Sequence, residues 1–216
     1  MAADPLHPET PLRELAPLRS TTTQKPVFAG SVSWRSDQAS GLLAAEGVCG
    51  GVGTIDGNGI TPLTENVTVD GTSWRPGDAL DTGGACSETG RVLMTFPSPD
   101  NHQLAFFASP ESIGVAGPDR LAAPSKLVVT GPTFGSARTL VDDVTYPTSL
   151  DWSDDGHIVF SGKVDGEGGV WQVDTKELNL TRVSKIEGRS AVSPDGKCVA
   201  IDSPGSGESS VTLACR

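Results

Sequence analysis

Aromatic side chains are scarce in this sequence, 5% of 216 residues, and Tyr146 is the only tyrosine. Methionine occurs twice and histidine three times. His7, His102 and His157 lie too far apart in the chain to suggest a metal triad or a general-base set. No Gly-x-Ser-x-Gly segment is present, which argues against the nucleophile elbow of a serine hydrolase. No stretch approaches the roughly 18 apolar residues of a membrane-spanning helix. Helical periodicity is nearly absent, and its best stretch, Thr10 to Leu18, is bracketed by Pro11 and Pro17. Met1-Ala2-Ala3-Asp4 shows neither the basic start nor the apolar run of an export signal, although a processed exported chain would read the same way. Positive charge is also in short supply: 16 Lys plus Arg face 27 Asp plus Glu, for a net charge of −11. Such a surface repels phosphate, so nucleic acid and anionic membranes are not expected as partners.

What is abundant is turn chemistry. The chain holds 26 Gly and 16 Pro, spread along its whole length, and its 36% apolar content can support one continuous core. Many short strands joined by tight turns fit that distribution. Internal repetition is the strongest signal. Four segments place an aromatic or small apolar residue before a Ser/Pro/Asp/Gly turn and an apolar strand. They are Trp34-Arg35-Ser36-Asp37, Trp74-Arg75-Pro76-Gly77-Asp78, Trp152-Ser153-Asp154-Asp155-Gly156 and Val192-Ser193-Pro194-Asp195-Gly196. Ala116-Gly117-Pro118-Asp119-Arg120 is a weaker fifth, and the successive spacings are 40, 42, 36 and 40 residues. Ser98-Pro99-Asp100-Asn101 reads as a turn between the third and fourth strands of a unit.

In the fourth unit, Ile158 to Ser161 and Val170 to Val173 form the middle strands, and the outer strand ends at Leu180-Thr181. The first unit ends likewise at Leu63-Thr64. This pattern resembles the TolB-like (WD-related) β-propeller repeat, with its Trp-Ser-Pro-Asp-Gly turn and Leu-Thr ending, over residues 31 to 216. Asp and Pro set up the turn, Gly supplies positive φ, and Trp fills the space between blades. The expected fold is all-β: a five-bladed β-propeller with four-stranded antiparallel blades, spanning residues 12 to 216 after a tail over 1 to 11. The fifth unit is one strand short, so the segment Leu12 to Leu18 is expected to close the last blade and cover its edge.

The four cysteines allow three pairings. A hairpin turning over Pro204 to Ser209 sets Cys198 opposite Cys215, and Cys49 with Cys86 follows by exclusion. Four free thiols in a cytosolic protein remain the alternative. A zinc site is not indicated, because no two cysteines are close and no histidine stands near them.

Glycoside hydrolysis needs two carboxylates roughly 5 to 9.5 Å apart. The inner strands offer only Asp151, which reads as a hydrogen-bonded structural group. The Asp56-Gly57-Asn58-Gly59 and Asp165-Gly166-Glu167 loops contain calcium-ligand residue types, yet plain turns account for them. Neither an enzyme nor a cofactor is expected. The resemblance implies ligand contact through the loops between successive units and those between the second and third strands of a unit, where Asp142, Asp143, Tyr146, Glu187 and Arg189 form the candidate contact set. It implies a non-catalytic, extracytoplasmic protein-interaction domain, monomeric and part of a bacterial envelope assembly. The alternative is a propeller binding a small ligand or glycan, for instance in its central channel; less favoured is a hydrolase or its accessory domain.

Overall fold

One 17-residue strand, β10 (Arg138–Asp154), organises the middle of the molecule. Its first half pairs with β9 (Ser125–Thr130) and its second half with β11 (His157–Val164), both antiparallel. It is therefore the outer strand of one blade and the inner strand of the next. The computed structural model describes residues 19–24, 31–34, 41–45, 51–56, 59–81, 89–111, 122–154, 156–204 and 209–215.

Ahead of β9 come β7 (Thr89–Pro97) and β8 (Leu104–Glu111). Beyond β11 come β12 (Glu167–Asp174) and β13 (Leu180–Ser184), so seven strands run in the order β13-β12-β11-β10-β9-β8-β7. The N-terminal blade has β1 (Ser31–Trp34), β2 (Gly41–Ala45), β3 (Gly51–Asp56) and β4 (Gly59–Pro62) in chain order. A small hairpin, β5 (Val67–Val69) and β6 (Thr72–Trp74), and a single helical turn, α1 (Asp78–Asp81), link it to β7. The last sheet holds β14 (Arg189–Val192), β15 (Cys198–Pro204) and β16 (Ser209–Cys215).

The inner strands lie side by side and are joined by polar contacts. Ser33 Oγ donates to Thr95 O at 2.7 Å, tying β1 to β7, and Trp152 Nε1 donates to Phe96 O at 3.1 Å, tying β10 to β7. The Val192 N–H reaches Asp151 Oδ2 at 3.1 Å, tying β14 to β10. Alternate residues of one strand serve different interblade cores. Val92, Phe106 and Val128 pack towards the N-terminal blade, whereas Leu93, Phe107 and Leu127 pack against Ile158 and Phe160. Val159 and Val170 face Val199 and Ile201 on the other side. Burial on both faces is why Leu104 to Ala108 and Ile158 to Phe160 read as unbroken apolar runs.

The all-β expectation is met, and the parse of the middle units is corrected. Because β1 lies directly against β7, no blade stands between them among the described residues, and the units drawn from Trp74 and Ala116 do not divide the sheet. β7, β8, β9 and the first half of β10 form one four-stranded blade instead. Its first turn is Ser98-Pro99-Asp100-Asn101, which joins the innermost strand to the second rather than the third to the fourth. The proof is its bonding. The Asn101 N–H donates to Ser98 O at 2.8 Å and the Gln103 N–H to Ser98 Oγ at 3.0 Å. In the last blade the Gly196 N–H donates to Ser193 O at 2.8 Å and the Cys198 N–H to Ser193 Oγ at 2.9 Å. Asn101 (φ 60°) occupies the left-handed position that Gly196 (φ 69°) fills. Trp74 is buried, but in the hairpin.

Cys198 and Cys215 face each other across β15 and β16 and form a disulfide. Cys49 and Cys86 lie outside the described residues, as do Ala116 to Arg120 and the closing segment Leu12 to Leu18. Among the described residues β16 is an open sheet edge, and it exposes Val211 (69%) and Leu213 (67%).

Candidate functional site

The change of blade within β10 requires a bend, and the bend makes a site. Thr145 pairs with Lys163 and Ser149 with Ser161, so four steps along β10 match two along β11. The surplus residues form a bulge. Asp143 (φ 54°) and Tyr146 (φ 50°) are left-handed there, a conformation Asp tolerates but a costly one for a side chain as bulky as Tyr. Pro147 follows and gives up a ladder donor. The bulge turns Tyr146 outward, 43% exposed. Gly162 allows the close approach: a Cβ on it would sit 3.2 Å from both Thr145 O and Val144 Cγ1.

A cavity of about 310 Å³ opens at the bend, lined by Tyr146, Thr148, Lys163, Glu187 and Gly162, Gly169 and Gly188. Lys163 Nζ lies 5.2 Å from the centroid of the Tyr146 ring, within cation–π range. The Glu187 side chain lies across Gly168, where a Cβ would collide with its carboxylate. Thr148 Oγ1 donates to Gly188 O at 3.1 Å and holds the β13–β14 loop against β10. Beside the cavity, Arg182 bonds Glu167 at 2.7 Å, donates to Gly168 O, and lies 5.4 Å from the centroid of the Trp171 ring.

Of the five candidate contact residues, Tyr146 and Glu187 meet at this cavity. Asp143 sets the bend, and Arg189 is exposed at the start of β14, next to Gly188. Asp142 belongs elsewhere: it pairs with Lys126, which also reaches Asp70 at 2.9 Å, fastening the β5–β6 hairpin to β9 and β10. Those two carboxylates hold the Lys126 ammonium above its ordinary pKa. Lys163, Thr148 and the three glycines are site residues that chain spacing did not single out. The one available signal is that Gly162 and Gly169 pair across β11 and β12, leaving a patch of sheet without side chains.

Asp151, the inner carboxylate, is already engaged. It accepts the Trp152 N–H at 2.8 Å and the Val192 N–H at 3.1 Å. Burial raises its pKa despite these two bonds. Asp165 (φ 52°) and Gly166 (φ 79°) make the two-residue turn between β11 and β12, both left-handed as a type I′ turn requires. Where β10 turns into β11 and β12 ends, His157 lies between Asp154, 2.8 Å from Nδ1, and Asp174, 3.4 Å from Nε2. Among the described residues no group of three or more His, Cys, Asp and Glu is placed to hold a metal ion.

No family model and no curated protein matches the chain. Solved structures do. A TolB-type protein of Agrobacterium tumefaciens superposes with a TM-score of 0.53 at 18% identity, covering 89% of this chain and 62% of that one. TolB from Acinetobacter baumannii gives a TM-score of 0.57 at 14% identity over 88% of this chain and 41% of that one. A puromycin-hydrolyzing peptidase of Mycobacterium tuberculosis gives 0.55 at 15% identity over 91% of this chain and 31% of that one. The chain thus spans less than two thirds of each. At these identities the likeness establishes a TolB-like propeller fold and carries no activity with it.

Proposed function

We propose that this TolB-like propeller domain is a non-catalytic, extracytoplasmic interaction module that holds a protein partner on the face formed by the β10 bend and the β13–β14 loop. The observation that carries the reading is Tyr146. A strained backbone keeps the lone tyrosine of the chain exposed beside a cavity and two unlike charges. Tyrosines so placed are favoured contact anchors, and strain concentrates where a surface is used. The absence of catalysis is supported by Asp151, whose carboxylate is spent on backbone bonds between inner strands. Residence outside the cytoplasm is supported by the Cys198–Cys215 disulfide, and a bacterial envelope assembly is the setting proposed for it. In this reading the segment Leu12 to Leu18 completes the last blade on the open edge of β16.

The test is comparative capture from envelope extracts by immobilised protein. Tyr146→Ala and Glu187→Lys should lose a partner that the native chain retains, and His157→Ala, on the opposite turns, should retain it. Loss with His157→Ala alone would place the contact on the other face and overturn the reading.

A further inference from the structure

The cavity beside the β10 bend has an electrostatic arrangement that a plain contact surface does not need. Lys163 and Glu187 both line it, yet no ion pair joins them. Among the described residues neither they nor the Tyr146 hydroxyl has a hydrogen-bonding or ionic partner, the Lys163 contact with the Tyr146 ring apart. A positive and a negative group thus border one small volume, and neither forms an ion pair with a side chain.

We propose that this cavity binds a small zwitterion, a free α-amino acid or a short peptide with both ends charged, its carboxylate on Lys163 and its ammonium on Glu187 beside the Tyr146 ring. Charge decides between the candidate ligands. A simple cation is opposed by Lys163 and a simple anion by Glu187. A neutral sugar could hydrogen-bond to both side chains but would displace water from two ions without supplying a counter-charge to either. A zwitterion supplies both charges. Size agrees: about 310 Å³ stands at the lower end of small-molecule sites, which run from roughly 300 to 1,000 Å³. The walls contributed by Gly162, Gly169 and Gly188 leave the floor to backbone, so the ligand can lie close to the sheet. Thr148, already donating to Gly188 O, fixes the wall on the Glu187 side.

This inference goes beyond the protein-contact reading, and its test uses no protein partner, so either can fail without the other. The probes are alanine, dialanine, N-acetylalanine N-methylamide and methyl glucoside, titrated into the whole ¹⁵N-labelled chain. Saturable amide shifts at Thr148, Gly162 and Gly188 are expected with alanine or dialanine, and the tighter of the two identifies the source. The blocked amide should bind at least tenfold more weakly. Lys163→Met and Glu187→Gln should each weaken binding at least tenfold with the melting midpoint unchanged. If either variant fails to fold, the ligand series on the native chain decides alone. No saturable shift with either zwitterion, equal binding of the blocked amide, or binding of methyl glucoside only would overturn the proposal. So would full affinity in both folded variants.

Discussion

Val192 donates its backbone N–H to Asp151 Oδ2 at 3.1 Å, and the inner strand of the last blade is thereby anchored to its neighbour by a side chain rather than by a sheet ladder. Two residues back along each strand, Ser149 and Ser190 repeat the link at 2.7 Å between hydroxyls.

Replacing Asp151 separates charge from bonding. Asp151→Ala leaves the half-buried Val192 and Trp152 amides without their acceptor and should cost about 1 to 3 kcal/mol. Asp151→Asn keeps an acceptor oxygen and should cost less. Burial raises the folded pKa above 3.8, so the native state favours the protonated acid. That contribution is fully present below 3.8 and is lost as pH rises through the folded pKa. Urea unfolding across that range should show it in the native chain and not in Asp151→Asn.

The two Ser-Pro-Asp turns should respond alike. Ser98→Ala and Ser193→Ala each remove the acceptor for a backbone N–H at the head of the next strand. Losses of about 1 kcal/mol are expected for Ser193, and up to about 3 for the fully buried Ser98. Thermal or chemical denaturation measures both, and a neutral Ser98→Ala would show that the turns are not equivalent.

His157 should report on its acidic neighbours. Burial pushes the Asp154 carboxyl up, but the bond from His157, the Gly156 N–H and the His157 charge outweigh it and hold it below 3.8. A depressed carboxylate stabilises the fold above its unfolded pKa, and that stability is lost as pH falls through the folded value. In His157→Ala the Asp154 titration, followed by carboxyl NMR, should move up towards the ordinary range.

Reduction of Cys198–Cys215 should loosen the last hairpin. The bridge spans 17 residues, and loops of that size correspond to about 3 kcal/mol in the chain-entropy model. Hydrogen exchange should accelerate along β16 first. If residues 12 to 18 close this edge, their removal should speed the same amides, and unchanged exchange there would exclude the closure.

The strand content was legible because both faces of the middle strands are buried, so Phe106-Phe107 and Ile158-Val159-Phe160 stand out as apolar runs. The pairing of Cys198 with Cys215 was legible from hairpin length alone. The place of the Ser98 turn within its blade was not, because Asn101 takes the glycine position and Phe96-Pro97 precede the turn where Trp152 does elsewhere. Trp74 misled for the converse reason: a tryptophan before a turn has the same local sequence whether it ends a blade strand or a hairpin. At the site, Tyr146 and Glu187 were found through their loops. Lys163 was not, since its place is set by a bulge 17 residues away in the chain, and periodicity carries no trace of which loops converge.

Sharing β10 between two blades has a mechanical consequence. Force applied to β9 reaches β11 through two hydrogen-bond ladders and the continuous backbone of β10 between them, so these blades should transmit strain together. Tyr146 sits where β10 bends. A ligand or partner that alters the bend presses on both blades at once, and its effect should appear in the exchange rates of β9 and β12 together.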